Sequence, residues 1–201
     1  MSENITAVSL FSGAGGMDVG FKNAGIKVLM ANEIDKMASK TFIENHPETK
    51  MIVDDINNIF PVLEEYRGVD IVFGGPPCQG FSVIGKMDPD DIRSQLIWSF
   101  LKAVEIIQPR AFVMENVKAL AAIAKWKDVR EEFIVKAKEM GYGCIPFIVN
   151  AAEYGTPQKR ERVFFIGIKG EEEFGDKFLE LLYKQKSKAP TIRELFKDLG
   201  P

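Results

Sequence analysis

A cysteine, a glutamate and two arginines hold the side chains most able to do covalent and acid-base chemistry. Cys78 lies in the stretch Gly74-Gly75-Pro76-Pro77-Cys78-Gln79-Gly80-Phe81-Ser82, directly after the apolar run Val69-Asp70-Ile71-Val72-Phe73. That run reads as a buried strand bounded by turn residues. Glycines and prolines then turn the backbone out of the sheet and fix the direction of one thiol. A free cysteine is often an inert core residue. In a stiff loop at the carboxyl end of a strand, where open α/β sheets bind ligands, it becomes a candidate nucleophile. Glu115 follows the buried strand Ala111-Phe112-Val113-Met114 and opens Glu115-Asn116-Val117. If the two strands are neighbours, the carboxyl and the thiol share a substrate; the alternative is a helix cap. Arg160 and Arg162 enter the last strand, Val163 to Ile168. Alternation puts both on one side, where they could reach a phosphate or a planar base, although a basic cluster of this kind is ordinarily a solvated face.

The elements that must position these groups read as alternating strands and helices. Thr6 to Leu10 forms a first strand and runs straight into Phe11-Ser12-Gly13-Ala14-Gly15-Gly16-Met17-Asp18. Glycines at such a turn let a ligand approach the backbone. The dinucleotide pattern G-x-G-x-x-G fails, because Asp18 stands where the third glycine belongs. An acid in the first helical turn would repel a pyrophosphate, so a cofactor without phosphates and with a cationic centre fits better. S-adenosylmethionine is such a molecule; a tight turn with no ligand is the plain alternative. Lys27 to Asn32 is the second strand, and Glu33, 20 residues after Gly13, stands where doubly wound folds place a carboxylate on ribose hydroxyls. Ile34 would cover the adenine, and Asp35 caps a helix from Lys36 to Asn45.

Met51 to Val53 makes a short third strand leading to Asp54-Asp55-Ile56. A helix from Ile92 to Gln108 carries the apolar stripe Ile92, Leu96, Phe100, Val104 and Ile107. Helical composition continues over Ala119 to Met140, with a break near Trp126. Gly141 to Ala151 reads as a strand whose Pro146 marks an edge or bulge, and it pairs with the last strand as a hairpin. Cys144 there is a packing residue. Phe174, Phe178 and Leu181 form the expected buried stripe of a later helix, and Thr191 with Glu194 makes a capping box for a final short one. The expected fold is thus α/β, a mostly parallel central sheet with an antiparallel edge strand, in one domain spanning 1–201.

Composition narrows the classes. With 201 residues, 46% apolar and 27% charged, the chain suits a single globular domain able to bury about 70% of its unfolded surface. No apolar run approaches the roughly 20 residues of a membrane span, and the first residues lack the pattern of a signal peptide, so a cytoplasmic protein is expected. The two cysteines have no metal-ligand spacing, and His46, before Pro47, reads as a solvated turn residue; no metal is expected. A net charge of −3 argues against this chain alone gripping a long duplex.

FSGAGG, GGPPCQGFS, MENV, the pair Asp55-Ile56 and QKRER occur in an order that resembles the DNA (cytosine-5) methyltransferases. The resemblance implies a Rossmann-like fold dependent on S-adenosyl-L-methionine, DNA as substrate, and a cytosine flipped from its duplex. Cys78 would attack carbon 6 of the ring, Glu115 would hold and protonate the ring nitrogen 3 edge, and Arg162 would steady the base. The donor would be held by Phe11, Ser12, Gly13, Ala14, Gly15, Gly16, Glu33, Ile34, Asp55, Ile56, Pro77 and Leu96. Asp54 stands where a glycine is common in the family, both aspartates could instead cap the next turn, and core packing explains Leu96 equally well. Substrate contacts are implied for Gln79, Ser82, Arg93, Asn116, Val117, Gln158 and Arg160.

The resemblance stops where the family inserts a target-recognition region and later motifs. One subunit of a split enzyme, needing a complementing protein subunit, is the favoured expectation. The alternatives are a truncated fragment, a degenerate or non-catalytic scaffold that binds S-adenosylmethionine, and a tRNA cytosine methyltransferase.

Overall fold

The computed structural model describes residues 5–77 and 95–198. The strands are β1 (Thr6–Leu10), β2 (Lys27–Glu33), β3 (Lys50–Val53), β4 (Ile71–Gly74), β5 (Ala111–Val117), β6 (Tyr142–Asn150) and β7 (Glu161–Lys169). The helices are α1 (Gly16–Asn23), α2 (Lys36–Asn45), α3 (Phe60–Leu63), α4 (Leu96–Ile107), α5 (Lys118–Ala122), α6 (Lys127–Glu139), α7 (Gly175–Lys184) and α8 (Ile192–Leu195). They build one seven-stranded sheet in the order β3-β2-β1-β4-β5-β7-β6. The pairs β2 with β3, β1 with β2, β1 with β4 and β4 with β5 are parallel, whereas β7 runs antiparallel to both β5 and β6. The reversed strand lies one place inside the sheet and β6, with Pro146, takes the edge. An edge is where a residue without an N–H donor is tolerated.

Alternation along the strands divides the core. Val8, Leu10, Val72, Phe112, Met114 and Phe165 pack on one face with α4 and α6. Ala7, Val28 and Phe73 face α1 across the sheet, where Phe21 stacks on Phe73 at 3.7 Å between ring centres. Phe147 and Ile166 meet Phe174 and Phe178 beside α7 on a third, smaller patch. Because β5 alternates, Glu115 shares the side of Val113, and Asn116 shares that of Phe112 and Met114.

Local signals act as read. Asp35 accepts the N–H groups of Met37 (2.9 Å) and Ala38 (2.7 Å), and Thr191 with Glu194 forms the capping box. Two expectations are corrected. His46 is only 3% exposed, because the chain after α2 folds its ring under the glycine turn and against Phe42, at 4.6 Å between ring centres. Leu181 is 53% exposed: α7 meets the sheet through Phe178 and Leu179 instead. No helix among the described residues is long and apolar enough to cross a membrane.

Candidate active site

The carboxyl ends of β1, β4 and β5 open on a cavity of about 500 Å³. Its walls include Phe11, Ser12, Gly16, Gly75, Glu115, Arg160 and Arg162, drawn from sequence segments far apart. A groove of about 650 Å³ between α4 and α6, lined by Trp98, Lys102 and Lys136, gathers no side chain expected to do chemistry.

The first strand-to-helix turn is held open by its backbone. Phe11 and Gly13 have φ of 53° and 56°, and Gly15 has φ 90°. A Cβ on Gly15 would sit 2.5 Å from the Nε2 of His46, so glycine is required there for space as well as conformation. The turn is tied to the second strand: the Ser12 N–H donates to the Asn32 carbonyl (3.0 Å) and the Gly13 N–H to Glu33 Oε2 (2.8 Å). Glu33 Oε1 accepts the Asp35 N–H at 2.9 Å. Asn32, itself buried, donates to the carbonyls of Ile52 (3.1 Å) and Asp54 (2.9 Å), linking β2 to the end of β3. Three strand ends are thereby locked into one ledge.

On that ledge Ile34 is 63% exposed, an apolar surface open to a planar ligand. Asp55 accepts from the backbone and side chain of Asn57 (2.8 and 2.9 Å), so the capping role is realised. Ile56 is buried and Leu96 half-buried against the same core as Val8 and Leu10, away from the cavity wall. Ala14 and Gly16 lie at the exposed rim of the turn.

Across the cavity, Glu115 Oε1 receives Arg162 Nε at 2.8 Å, with Arg160 Nη2 farther off at 3.9 Å. The register explains the pair: Glu115 faces Phe164 and Val117 faces Arg162, so glutamate and arginine are diagonal neighbours on one face. Burial pushes the Glu115 carboxyl above the usual range, and the two arginines oppose this without cancelling it. β4 and β5 are parallel neighbours, with Gly74 beside Met114. A Cβ on Gly75 would come within 3.2 Å of Glu115 Oε2, and one on Gly74 would collide with the Leu10 carbonyl. Both glycines let the chain leave the sheet along the cavity wall.

Asn116 is buried. Its amide donates to the Pro76 carbonyl (3.2 Å) and its oxygen accepts the Val117 N–H (2.9 Å). It therefore supports the β4 exit from behind and does not face the cavity. Val117 is half-buried, Gln158 is exposed on the turn before β7, and Pro77 is the last described residue before Cys78. Cys78, Gln79, Ser82 and Arg93 lie outside the described residues.

Several wall residues escaped the sequence reading: Ser9, Val149, Ala151 and Phe164. Asp18, read from the sequence as an acid that disfavours a pyrophosphate and suits a cationic cofactor, lies on the same wall. Among the described residues no cluster of His, Cys, Asp and Glu could hold a metal ion. Burial raises the Cys144 thiol to about 12, as befits a packing residue.

A glycine-rich first turn, a ligand cavity at parallel strand ends and a reversed β7 beside β5 define a Rossmann-like methyltransferase fold. Residues 5–199 match the family described as C-5 cytosine-specific DNA methylase. The chain belongs to that family. It is 36% identical over 197 residues to the Type II methyltransferase M.DdeI of Desulfomicrobium norvegicum, covering 96% of this chain and 48% of that protein. It is 41% identical over 174 residues to M.AquIA of Picosynechococcus sp., covering 80% and 70% respectively. Among solved structures, an E. coli prophage chain described as a DNA modification methyltransferase superposes with a TM-score of 0.76 at 31% identity, over 96% of this chain and 54% of that one. A DNMT2 variant of Spodoptera frugiperda gives 0.68 at 26%, over 84% and 51%. The chain spans about half the length of M.DdeI and of both structures.

Proposed function

We propose that the chain methylates carbon 5 of a flipped-out cytosine in DNA, using S-adenosylmethionine, a Cys78 adduct and a complementing subunit for target recognition. The observation that carries this reading is the Glu115 carboxyl, held on the cavity wall by Arg162 at 2.8 Å and biased by burial toward its protonated form. A carboxyl whose burial favours the protonated form, placed on the cavity wall, can pass a proton to a ring nitrogen.

The cavity suits the donor. Its volume of about 500 Å³ is in the range of small-molecule sites, and the buried Ser9 and Ser12 hydroxyls and both Asp18 oxygens on its wall have no hydrogen-bond partner among the described residues. When bound, S-adenosylmethionine supplies an electrophilic methyl group. Glu33, fixed by the Gly13 and Asp35 N–H groups, would hold ribose hydroxyls through its remaining lone pairs. Ile34 would cover the adenine, Asp55 would border it, and Ile56 and Leu96 would act from the core behind.

Carbon 5 of cytosine is a weak nucleophile, and the base must leave the stack to be reached. The Cys78 thiolate bonds to carbon 6 as the 5,6 double bond opens, and Glu115 gives a proton to ring nitrogen 3 to absorb the developing charge. Carbon 5, now electron-rich, takes the methyl group. Loss of the carbon-5 proton to a base restores the double bond and expels the thiolate, while nitrogen 3 returns its proton to Glu115. Arg162 orients Glu115 and, with Arg160, balances charge around the pyrimidine.

The net charge of −3 supports placing most DNA contacts on a second subunit. The test is covalent trapping on a duplex containing 5-fluorocytosine, with tritium transfer to ordinary duplex, in the presence of the polypeptide encoded in the neighbouring reading frame. Adduct and transfer that vanish in Cys78→Ser are expected. Donor binding without either product would leave a scaffold, and transfer by residues 1–201 alone would remove the need for a partner.

A further inference from the structure

Asp18 lies in the first turn of α1 and is 1% exposed, yet neither carboxylate oxygen has a hydrogen-bond partner among the described residues. Burying such a group unpaired is expensive, so a partner arriving from outside is the economical explanation. Ser9 and Ser12 beside it are unpartnered as well, and all three line the main cavity. The nearby arginines and Lys22 are engaged. His46, whose buried Nε2 is itself without a hydrogen-bond partner among the described residues, lies close enough to act on Asp18 without bonding to it. Arg160 and Arg162 approach Glu115, and Lys22 pairs with Glu48 at 2.6 Å. His46 and Lys27 meet Asp18 across a separate cavity of about 250 Å³. Burial raises the Asp18 carboxyl, while the Ser9 hydroxyl, near enough to favour the anion without making a well-formed hydrogen bond, and His46 pull it back. The start of α1 favours the anion too.

We infer that Asp18, flanked by the Ser9 and Ser12 hydroxyls, is the anionic floor of the donor cavity and recognises the positive charge of the methyl donor. The inference rests on the donor proposed above and adds the residue that distinguishes a cationic ligand from a neutral one. If the charge recognised is the sulfonium, methyl transfer removes it and weakens the product's hold on the site.

Calorimetry on the chain and on Asp18→Asn tests this with S-adenosylmethionine, S-adenosylhomocysteine and methylthioadenosine, which carry two, one and no cationic centres. Asp18→Asn should weaken S-adenosylmethionine about tenfold or more, the scale of a charge-assisted contact, and leave methylthioadenosine within about twofold. S-adenosylhomocysteine tells which cation is recognised: unchanged affinity points to the sulfonium, a parallel loss to the ammonium, and both uphold the inference. Equal weakening of all three ligands, or none for S-adenosylmethionine, overturns it. Should melting show that Asp18→Asn is unfolded, the unaltered chain is titrated with an analogue bearing carbon in place of the sulfonium and with the des-amino sulfonium. At least one must bind about tenfold weaker than S-adenosylmethionine; equal affinity for both overturns the inference. An unaltered chain that binds none of the ligands overturns the donor assignment, and the role of Asp18 with it.

Discussion

Replacing Asn116 by alanine separates support of the β4 exit from contact with substrate. The side chain is 1% exposed and holds the Pro76 carbonyl at 3.2 Å and the Val117 N–H at 2.9 Å. Alanine leaves both backbone groups without these partners. Each buried orphan costs about 1–3 kcal/mol, and partial access of water moderates the total, so a loss of about 2–3 kcal/mol is expected. For a domain of this size that lowers the melting temperature by roughly 4–12 °C. Urea denaturation without ligand reads the loss directly. With the proposed complementing subunit present, methyl transfer should fall in kcat while KM for DNA stays near its original value, because the β4 exit at Pro76 has lost its backing. A residue that merely touches substrate behaves the opposite way, raising KM with unchanged stability. Stability within about 0.5 kcal/mol of the parent, the range of ordinary surface substitutions, would refute the supporting role.

Glu115→Gln should abolish methyl transfer yet leave the fold no less stable at neutral pH. Burial sets the folded carboxyl above its ordinary 4.5, so the stability linked to its proton is full below about that pH and is lost as pH rises through the folded value. Glutamine stays neutral throughout, so urea midpoints measured from pH 4 upward should show its advantage growing with pH and then levelling; a parent more stable than Glu115→Gln at pH 8 contradicts this. Gly15→Ala and Gly13→Ala form a pair. Both positions have positive φ, but only at Gly15 does the new methyl meet His46, at 2.5 Å, and Phe42, at 3.0 Å, whereas Gly13 has nothing within 4 Å. Gly13→Ala should cost about 1 kcal/mol and Gly15→Ala about 2–4 kcal/mol with loss of donor binding, and equal costs would count against the packing argument.

Periodicity and local chemistry made most elements legible. Asp35 announces α2 and Thr191 with Glu194 announces α8, because capping acts within four residues and needs no tertiary partner. Pro146 marked β6 as an edge for an equally local reason, its missing N–H. The side chains misread are those whose environment is made by distant segments. His46 looked solvated beside Pro47, but its burial depends on the glycine turn that folds over it from the other end of α1 and β2. The family resemblance implied a substrate contact for Asn116, yet its partner Pro76 belongs to another strand's exit, 40 residues away. Asp18 carried a visible charge, and only the packing of β1, α1 and α2 shows that the charge is enclosed.

Glu115 and Asn116 also explain why the register of β5 must be held so firmly. Successive side chains on a strand point to opposite faces, so these neighbours serve opposite sides: the carboxyl faces the cavity and the amide faces the core behind the β4 exit. A slip of one residue would exchange them, burying a carboxylate behind Pro76 and presenting an amide to the ligand. The sheet prevents this through shape. Phe112 packs where Gly167 on β7 has no side chain, and a Cβ there would collide with the ring. The next inward residue, Met114, lies opposite Phe165. Gly167 does not line the cavity, but a side chain at this position would press on the strand that carries Glu115. Its substitution by valine should therefore reduce methyl transfer as well as stability, whereas a change confined to the exposed face of α7 should alter neither.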